Sequence, residues 1–579
     1  MSTGAVLALA AIVVVTAVTV VFGFLGTRVA RSTDDFLAAS RTVGSRANAA
    51  AISGQYVAAA AFLGIAGAVL SDGVDGLWFP LGFVAGFLAL LLFVAAPLRR
   101  SGAYTVPDFA EARLDSAPLR TLTTIVVVAI GWLYLLPQLQ ASGLTLEVLL
   151  GVPPWVGVVA VGLVVTASVT FGGMRSLTVV QALRFWFTVA AIAVPTLVLV
   201  VWLQAGRSGA PDPDTTTGPP TFPAATDVDV RTPVALQIGA PVALEAVGRV
   251  DGTDAAGPVR WGPGRHEVAA GTTLRFGAGA PVPVVVGAVS DDAAWARPAR
   301  DGESLLGAYS LLAAMALGTM GLPHVLVRFY TNPDGRTARR TTVLVLAVLG
   351  VFVLFPMLLG AISRVFVPRL LVDGSTDAAV LLLPQATLGG GAGAALGAVV
   401  AAGVFAALLA VSSGLVLAVA GVLSSDLLPG RAADFRVAAH VAGIVPLVAA
   451  LLLPRLEITQ TVSTAFVLAA STFCPLLVLG IWWRGLTDRG AIAGVAAGGG
   501  LAGAAVAATL LGATLPGWPG ALLAQPALVT VPVAFAVMVL VSRATSSRVP
   551  PAVARTLMRL HAPERLGLGD LNRAGRPSA

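Results

Sequence analysis

No lysine occurs anywhere in the 579 residues, and there is a single cysteine, Cys474. One cysteine excludes an internal disulfide framework, and the missing lysine leaves all 36 cations to arginine. Charge of either sign is scarce. Only 11% of residues are Asp, Glu, Lys or Arg, where a soluble globular chain carries about a quarter. With 57% hydrophobic residues and a mean hydropathy of +0.89, a soluble class is excluded. Inside the long apolar runs there is no Asp or Glu except Glu147, near one end. Proton pumps carry a chain of buried carboxylates, and that chain is missing here. No nucleophile–base pair or metal-ligand cluster stands out, so the sequence predicts no enzyme, no cofactor and no metal beyond a coupling ion.

What is present is a series of about thirteen apolar runs long enough to cross ~30 Å of hydrocarbon. They run over Gly4–Leu25, Ala49–Leu70, Leu77–Leu98, Leu119–Leu150, Trp155–Phe171 and Val179–Leu203, then Leu305–Val327, Thr342–Ile362 and Ala394–Leu423. The last four are Val437–Leu453, Thr461–Trp483, Ala491–Leu511 and Ala521–Val541. The first run has no basic segment before it and reads as a retained span, not a signal peptide. The expected class is an all-α polytopic membrane protein. Its divisions are helices one to six over 1–204, an insert at 205–303, helices seven to thirteen over 304–542, and a tail at 543–579.

Arginine placement predicts the orientation, because positive charge stays on the cytoplasmic side. An N-terminus outside puts Arg28, Arg31, Arg41, Arg46, Arg99, Arg100, Arg113, Arg120, Arg175, Arg328, Arg336, Arg339, Arg340, Arg431, Arg436, Arg484 and Arg489 inside. Arg364, Arg369 and Arg455 are the exceptions, and the C-terminus falls inside. The net charge of +7 is then a matter of topology, spread over short loops, and no nucleic-acid partner is expected. The insert differs from the rest. It holds eight Arg and twelve Asp or Glu, and is rich in Pro, Gly and Thr. It falls outside the membrane, and Val234–Ile238 and Val282–Val286 read as short strands. A small β-rich cap and a flexible loop are equally compatible with this composition.

Within the spans, polar and helix-breaking residues mark candidate sites. Ser53-Gly-Gln-Tyr56 interrupts the second span, and Gly318-Thr-Met-Gly-Leu-Pro-His324 interrupts the seventh, five spans later. Paired breaks in corresponding positions point to an inverted-repeat transporter whose unwound backbone holds ion and solute. The alternative is that these glycines only let helices pack closely. The ninth span carries Ser412 and Ser413, whose hydroxyls offer hard oxygen ligands to Na⁺ or bond back to their own helix. His324 is the main ionisable group near membrane depth, a default site hypothesis, or else a helix end beside Arg328. Arg184 and His440 lie near inner ends, within reach of the interface.

These residues carry a family resemblance. Thr33–Arg41, Ala59–Gly64, Gly102–Arg113, Gly172–Arg175 and above all Gly318–Thr331 resemble the sodium:solute symporter family, in its acetate and short-chain monocarboxylate branch. The resemblance implies inverted five-helix repeats, spans two to six and seven to eleven. It also implies sodium-coupled symport of a small monocarboxylate by alternating access, in a lipid bilayer. Proton coupling, another solute such as proline, and a non-transporting receptor are the alternatives. The family's sodium site maps onto backbone carbonyls near Gly54 and Val57 and onto Ser412 and Ser413; counting back from Asp426 instead gives Ala410 and Val411. Relatives carry more polar residues where this chain has Ala58 and Ala61. Gln55, Pro323 and His324 would line the substrate pocket, with Gln138 as a gate contact and Trp78 and Phe79 closing it from outside. A substrate carboxylate would sit at a half-helix N-terminus.

Overall fold

The computed structural model describes residues 3–26, 44–171, 174–205, 218–299, 302–426, 432–453, 457–513 and 515–562. The Thr33–Arg41 stretch, Gly172 and Gly173, Arg28, Arg31, Arg431 and Arg455, the start of the insert and the end of the tail lie outside the described residues.

Ten helical stretches among the described residues are long and apolar enough to cross a membrane, and two shorter apolar helices join them. One of the ten, Ala60–Phe93, contains a turn at Gly73–Leu77, and there the chain folds back. A Cβ on Gly76 would stand 2.6 Å from the carbonyl oxygen of Ala68, so only glycine fits. Dividing that stretch at the turn recovers the spans expected from hydropathy. Gly73, with φ +63°, supplies the left-handed residue that starts the reversal.

Burial sorts the helices into layers. Gly390–Asp426, Ile458–Trp482 and Ala117–Leu150 have 83%, 89% and 72% of their apolar windows buried, against 33–44% for the others. A helix apolar all round belongs at the centre of a bundle, and these three form it. The outer helices turn half of each surface to lipid, as Leu92, Trp186, Val201 and Leu540 do. Close approach at the centre is bought with small residues. A Cβ on Gly321 would meet the carbonyl oxygen of Ala469 at 2.8 Å, and one on Gly494 would meet Met538 Cβ at 2.6 Å.

The insert is a folded antiparallel β unit of seven strands: β1 Thr226–Val230, β2 Val234–Ile238, β3 Val242–Val250, β4 Thr253–Trp261, β5 Gly264–Val268, β6 Thr272–Phe276 and β7 Val284–Val285. The order is β1-β6-β3-β5-β2-β7, with β4 also paired to β3. β3 and β4 are joined by Asp251-Gly252, and Val250 faces Thr253 across the turn. Both turn residues have positive φ, +48° and +77°, the mark of a type I′ hairpin, for which Asp-Gly is a favoured pair. Alternate residues of β3 point into a core of Leu236, Leu244, Ala246, Leu274 and Phe276. The strand reading of the insert therefore holds, and the flexible-loop reading does not.

The unit is anchored to the bundle. Arg364, expected as a loop cation outside the bundle, is buried instead: Nε donates to Asp292 (2.9 Å), Nη1 to the Leu70 carbonyl (3.1 Å) and Nη2 to the Val289 carbonyl (2.9 Å). The Trp295 indole donates to the Val69 carbonyl at 2.7 Å, and Arg231 pairs with Glu147 at 2.6 Å. Most of these bonds end on the half-helix Ile65–Asp72, the segment that follows the first helix break.

Candidate functional site

The first break forms where the sequence places it. Helix Ser45–Tyr56 stops at Val57, whose φ/ψ of −74°/62° is not helical. The chain restarts as a π-helical turn, Ala60–Gly64, and continues as Ile65–Asp72. One of the backbone donors freed by the break is satisfied from another helix: Ala59 N–H donates to Gln138 Oε1 at 2.9 Å. The second break follows Thr319. Leu322 is extended (ψ 113°), as a residue before proline prefers, and Pro323 occupies the first turn of the short helix Pro323–Phe329. Gly318 and Gly321 press against the backbone of Phe466 and Ala469. The glycines thus serve close packing, and the chain is broken there as well.

Between the breaks lies a closed chamber. Gln55, Tyr134, Gln138, His324 and Ser412 are each 1% exposed or less. The His324 ring stacks on Tyr134, with centroids 5.1 Å apart. Tyr134 in turn meets Phe466 edge-on at 5.8 Å, and Phe466 meets Phe83 at 5.2 Å. Tyr56 packs between Phe83 and Phe87, at 5.9 and 4.5 Å. Several polar atoms in this apolar setting have no hydrogen-bond partner among the described residues: Tyr134 Oη, both ring nitrogens of His324, Gln138 Nε2, Tyr56 Oη, Ser53 Oγ and Ser412 Oγ. Each such buried group costs about 1–3 kcal/mol. A cluster of them is the signature of a chamber built to be filled by something polar.

Beside the chamber runs a bonded network. Gln181 Nε2 donates to the Ala410 carbonyl (3.1 Å) and to Ser413 Oγ (3.4 Å), and its Oε1 accepts from Arg328. A guanidinium can only donate, so the Gln55 amide turns its oxygen to Arg328, accepting at 3.0 and 3.1 Å, and donates to the His324 carbonyl at 2.8 Å. Asn48 Nδ2 donates to the Arg328 carbonyl at 2.9 Å. Ser413 donates to the Ala410 carbonyl at 3.0 Å, one turn back in its own helix. Ser412, its neighbour, makes no such bond.

Several expectations change here. Arg328, expected in an inner loop, is fully buried within the bundle. His324 is no interface marker. Arg184 does not reach the interface; it is buried, with Nε and Nη1 unpartnered among the described residues. Gln55, Gln138, Pro323 and His324 gather at the chamber, and Ala410, Ser412 and Ser413 lie alongside. Gly54 packs against Phe185 and the Gln181 carbonyl, with only 3.1 Å available to a Cβ. Phe79 joins the ring chain through Phe83, at 4.8 Å. Trp78 is tied instead to Asp75 and Tyr309. Tyr134, Gln181 and Arg328 were not singled out from the sequence as site residues. Arg328 lies four residues after His324, on the same face of a helix that starts at proline, and that spacing was the available signal.

A helical bundle with two interrupted helices facing each other around a buried polar chamber is the architecture of a secondary transporter. The comparisons agree. The model of the sodium:solute symporter family matches residues 36–213 and 296–498, on either side of the β unit. The chain belongs to the sodium:solute symporter family. A monocarboxylic acid transporter of Corynebacterium glutamicum is 28% identical over 536 residues, spanning 88% of this chain and 86% of that one. An uncharacterised symporter of Bacillus subtilis is 28% identical over 491 residues, with 83% and 82% covered. Among solved structures, a Na⁺-coupled sialic acid symporter superposes with a TM-score of 0.57 at 14% identity, covering 92% of this chain and 98% of that one. A nucleobase-cation-symport-1 family transporter gives 0.50 at 12%, covering 91% and 99%. The fold is therefore that of the inverted-repeat sodium symporters, and the chain is a multi-pass membrane protein.

Proposed function

We propose that this protein is a sodium-coupled symporter carrying a small monocarboxylate, such as acetate, propionate or pyruvate, by alternating access. The observation that carries the reading is the set of unpartnered donors around the chamber: Tyr134 Oη, His324 and Gln138 Nε2. A carboxylate offers only acceptors, about four lone-pair sites, and these groups can all donate. The rings of Phe83, Phe87 and Phe466 suit a short alkyl tail. The side chains facing this chamber from the two aromatic rows are neutral, so an anion entering it calls for a companion cation. Ser412 Oγ and backbone carbonyls near Gly54, Val57 and Ala410 are the proposed oxygen ligands for Na⁺. The Corynebacterium glutamicum relative, by its name, supports the substrate class.

One observation favours proton coupling as a second reading: Ser413 spends its hydroxyl on Ala410, and Ala58 and Ala61 offer no side-chain ligand. Counterflow of labelled acetate in proteoliposomes tests the carrier function. The expected result is accumulation driven by unlabelled internal acetate and dependent on sodium. Sodium-independent counterflow would remove the coupling ion from the proposal, and no counterflow of any monocarboxylate would remove the substrate class.

The proposed orientation has the N-terminus and the β unit outside and the C-terminus in the cytoplasm. Single cysteines at Asp251 and at Arg339, in whole cells, are expected to react with an impermeant maleimide only at Asp251. Labelling of both from outside would overturn the span assignment.

A further inference from the structure

Away from the chamber, two buried carboxyl groups meet at the end of the bundle that carries the β unit. Asp377 lies in the short helical turn Thr376–Ala378, wedged between two elements that shape the chamber. On one side is the half-helix Ile65–Asp72. A Cβ on Gly67 would stand 3.0 Å from Asp377 Oδ1 and 3.1 Å from its backbone nitrogen. On the other side is the helix Ile458–Trp482, whose Phe466 supports Tyr134. The Ile458 N–H donates to Asp377 Oδ2 at 3.0 Å. Asp377 Oδ1 has no partner at all among the described residues, although the residue is 93% buried. Glu457, immediately before that helix, accepts from Thr459 at 3.0 Å, and Thr459 packs on Gly64 of the π-helical turn.

No cation neutralises the pair. The nearest is Arg364, on the helix Leu354–Phe366, and its guanidinium is engaged by Asp292 and two carbonyls. The other charged groups on that side are acidic, Asp72 and Asp75 at the end of the half-helix. On the segment before the turn, Asp373 is capped by Ser375. An ionised carboxylate with a bare oxygen in such a place costs several kcal/mol. A carboxylic acid there costs far less.

Resting on the symporter reading, we infer that Asp377 is a proton-binding site: the pair Asp377–Glu457 takes up a proton when this end of the transporter packs shut and releases it when the end opens. Burial raises the Asp377 carboxyl, and the Glu457 carboxylate beside it raises it further; burial also raises Glu457. The sign follows. A carboxyl whose affinity for protons is higher in the packed state stabilises that state at low pH, and the stabilisation fades as pH rises. Acid therefore holds this end closed. The chamber itself supplies no titrating carboxylate, so the device is separate from substrate binding.

The test is the pH profile of sodium-driven labelled pyruvate uptake in proteoliposomes, with interior pH and sodium gradient fixed. Pyruvate is chosen because it stays ionised across the range. Wild-type uptake is expected to rise about tenfold per pH unit at most through the transition, then level off. Asp377→Asn, a permanent stand-in for the protonated acid, is expected to flatten the profile at the slow, low-pH level. Glu457→Gln is expected to keep a transition and move its midpoint to lower pH, because a like charge has been removed. A merely structural role would scale the whole profile and leave the midpoint in place. A wild-type midpoint retained in Asp377→Asn, or no wild-type transition, would overturn the inference. Counterflow of unlabelled against labelled pyruvate separates the two claims: if it is absent at every pH, the symporter reading fails; if it is present with a flat profile, only the proton site fails.

Discussion

Replacing His324 with alanine is expected to reduce labelled-acetate uptake about 10- to 100-fold at equal expression, the effect of about 1–3 kcal/mol for one buried donor left unmade. His324→Gln is expected to retain partial transport, since its amide can still donate. The argument rests on placement. Pro323 fixes the start of a short helix, the ring of His324 lies on Tyr134, and neither ring nitrogen has a protein partner among the described residues. A histidine kept for packing alone would leave both variants transporting normally, and that result would remove it from the site. Tyr134→Phe offers an independent check. It deletes one hydroxyl without disturbing the stack and is expected to weaken acetate uptake while leaving expression unchanged. Competition by propionate and pyruvate is expected in the wild type. Competition by proline alone would place the substrate outside the monocarboxylates.

The features legible in the sequence were those with a local cause. Apolar runs gave the spans because hydrocarbon thickness fixes their length. Ser53–Tyr56 and Gly318–His324 marked the two breaks because proline and glycine act on their own backbone. Val234–Ile238 was visible as a strand, and the Asp251-Gly252 turn obeys a two-residue rule. The features missed were long-range. Gln181 matters because it joins Arg328, 147 residues away, to Ala410 and Ser413, and no short window contains that relation. Arg328 and Arg364 were misjudged for one shared reason. An arginine at the end of an apolar run looks like a loop cation under the positive-inside rule. The fold buries both: Arg328 among glutamines, and Arg364 under the β unit. Asp377 was invisible for the opposite reason, since an acid in a loop is ordinarily solvated and only the tertiary packing removes its water.

The breaks and the β unit are mechanically connected, and this bears on how the chamber opens. The half-helix Ile65–Asp72 is held at its far end by Trp295, Val289 and Arg364, and at its near end it emerges from the π-helical turn. A π-helical turn carries one residue more per turn than the α-helix and is a common site of functional adjustment. Any motion of that half-helix must therefore carry the β unit with it or break its bonds to it.

Substituting both Ser412 and Ser413 by alanine is expected to raise the sodium concentration for half-maximal acetate uptake by roughly tenfold or more, with a smaller effect on the maximal rate. The loss of two oxygen ligands, at about 1–3 kcal/mol for each polar partner removed, sets that scale. The single variants are expected to differ. Ser412 Oγ is unbonded and buried, so Ser412→Ala removes a ligand that is free to coordinate. Ser413 Oγ already donates to Ala410 and accepts from Gln181. A hydroxyl that donates to a carbonyl still has a lone pair for a cation, but Gln181 Nε2 competes for it. Ser413→Ala is therefore expected to shift the sodium dependence less than Ser412→Ala. Gln181→Ala, which withdraws the competing donor and frees the Ala410 carbonyl, separates a ligand role from a packing role. If Ser412→Ala left the sodium dependence unchanged while a pH gradient drove uptake, the oxygen set would not be a sodium site, and the coupling ion would be the proton.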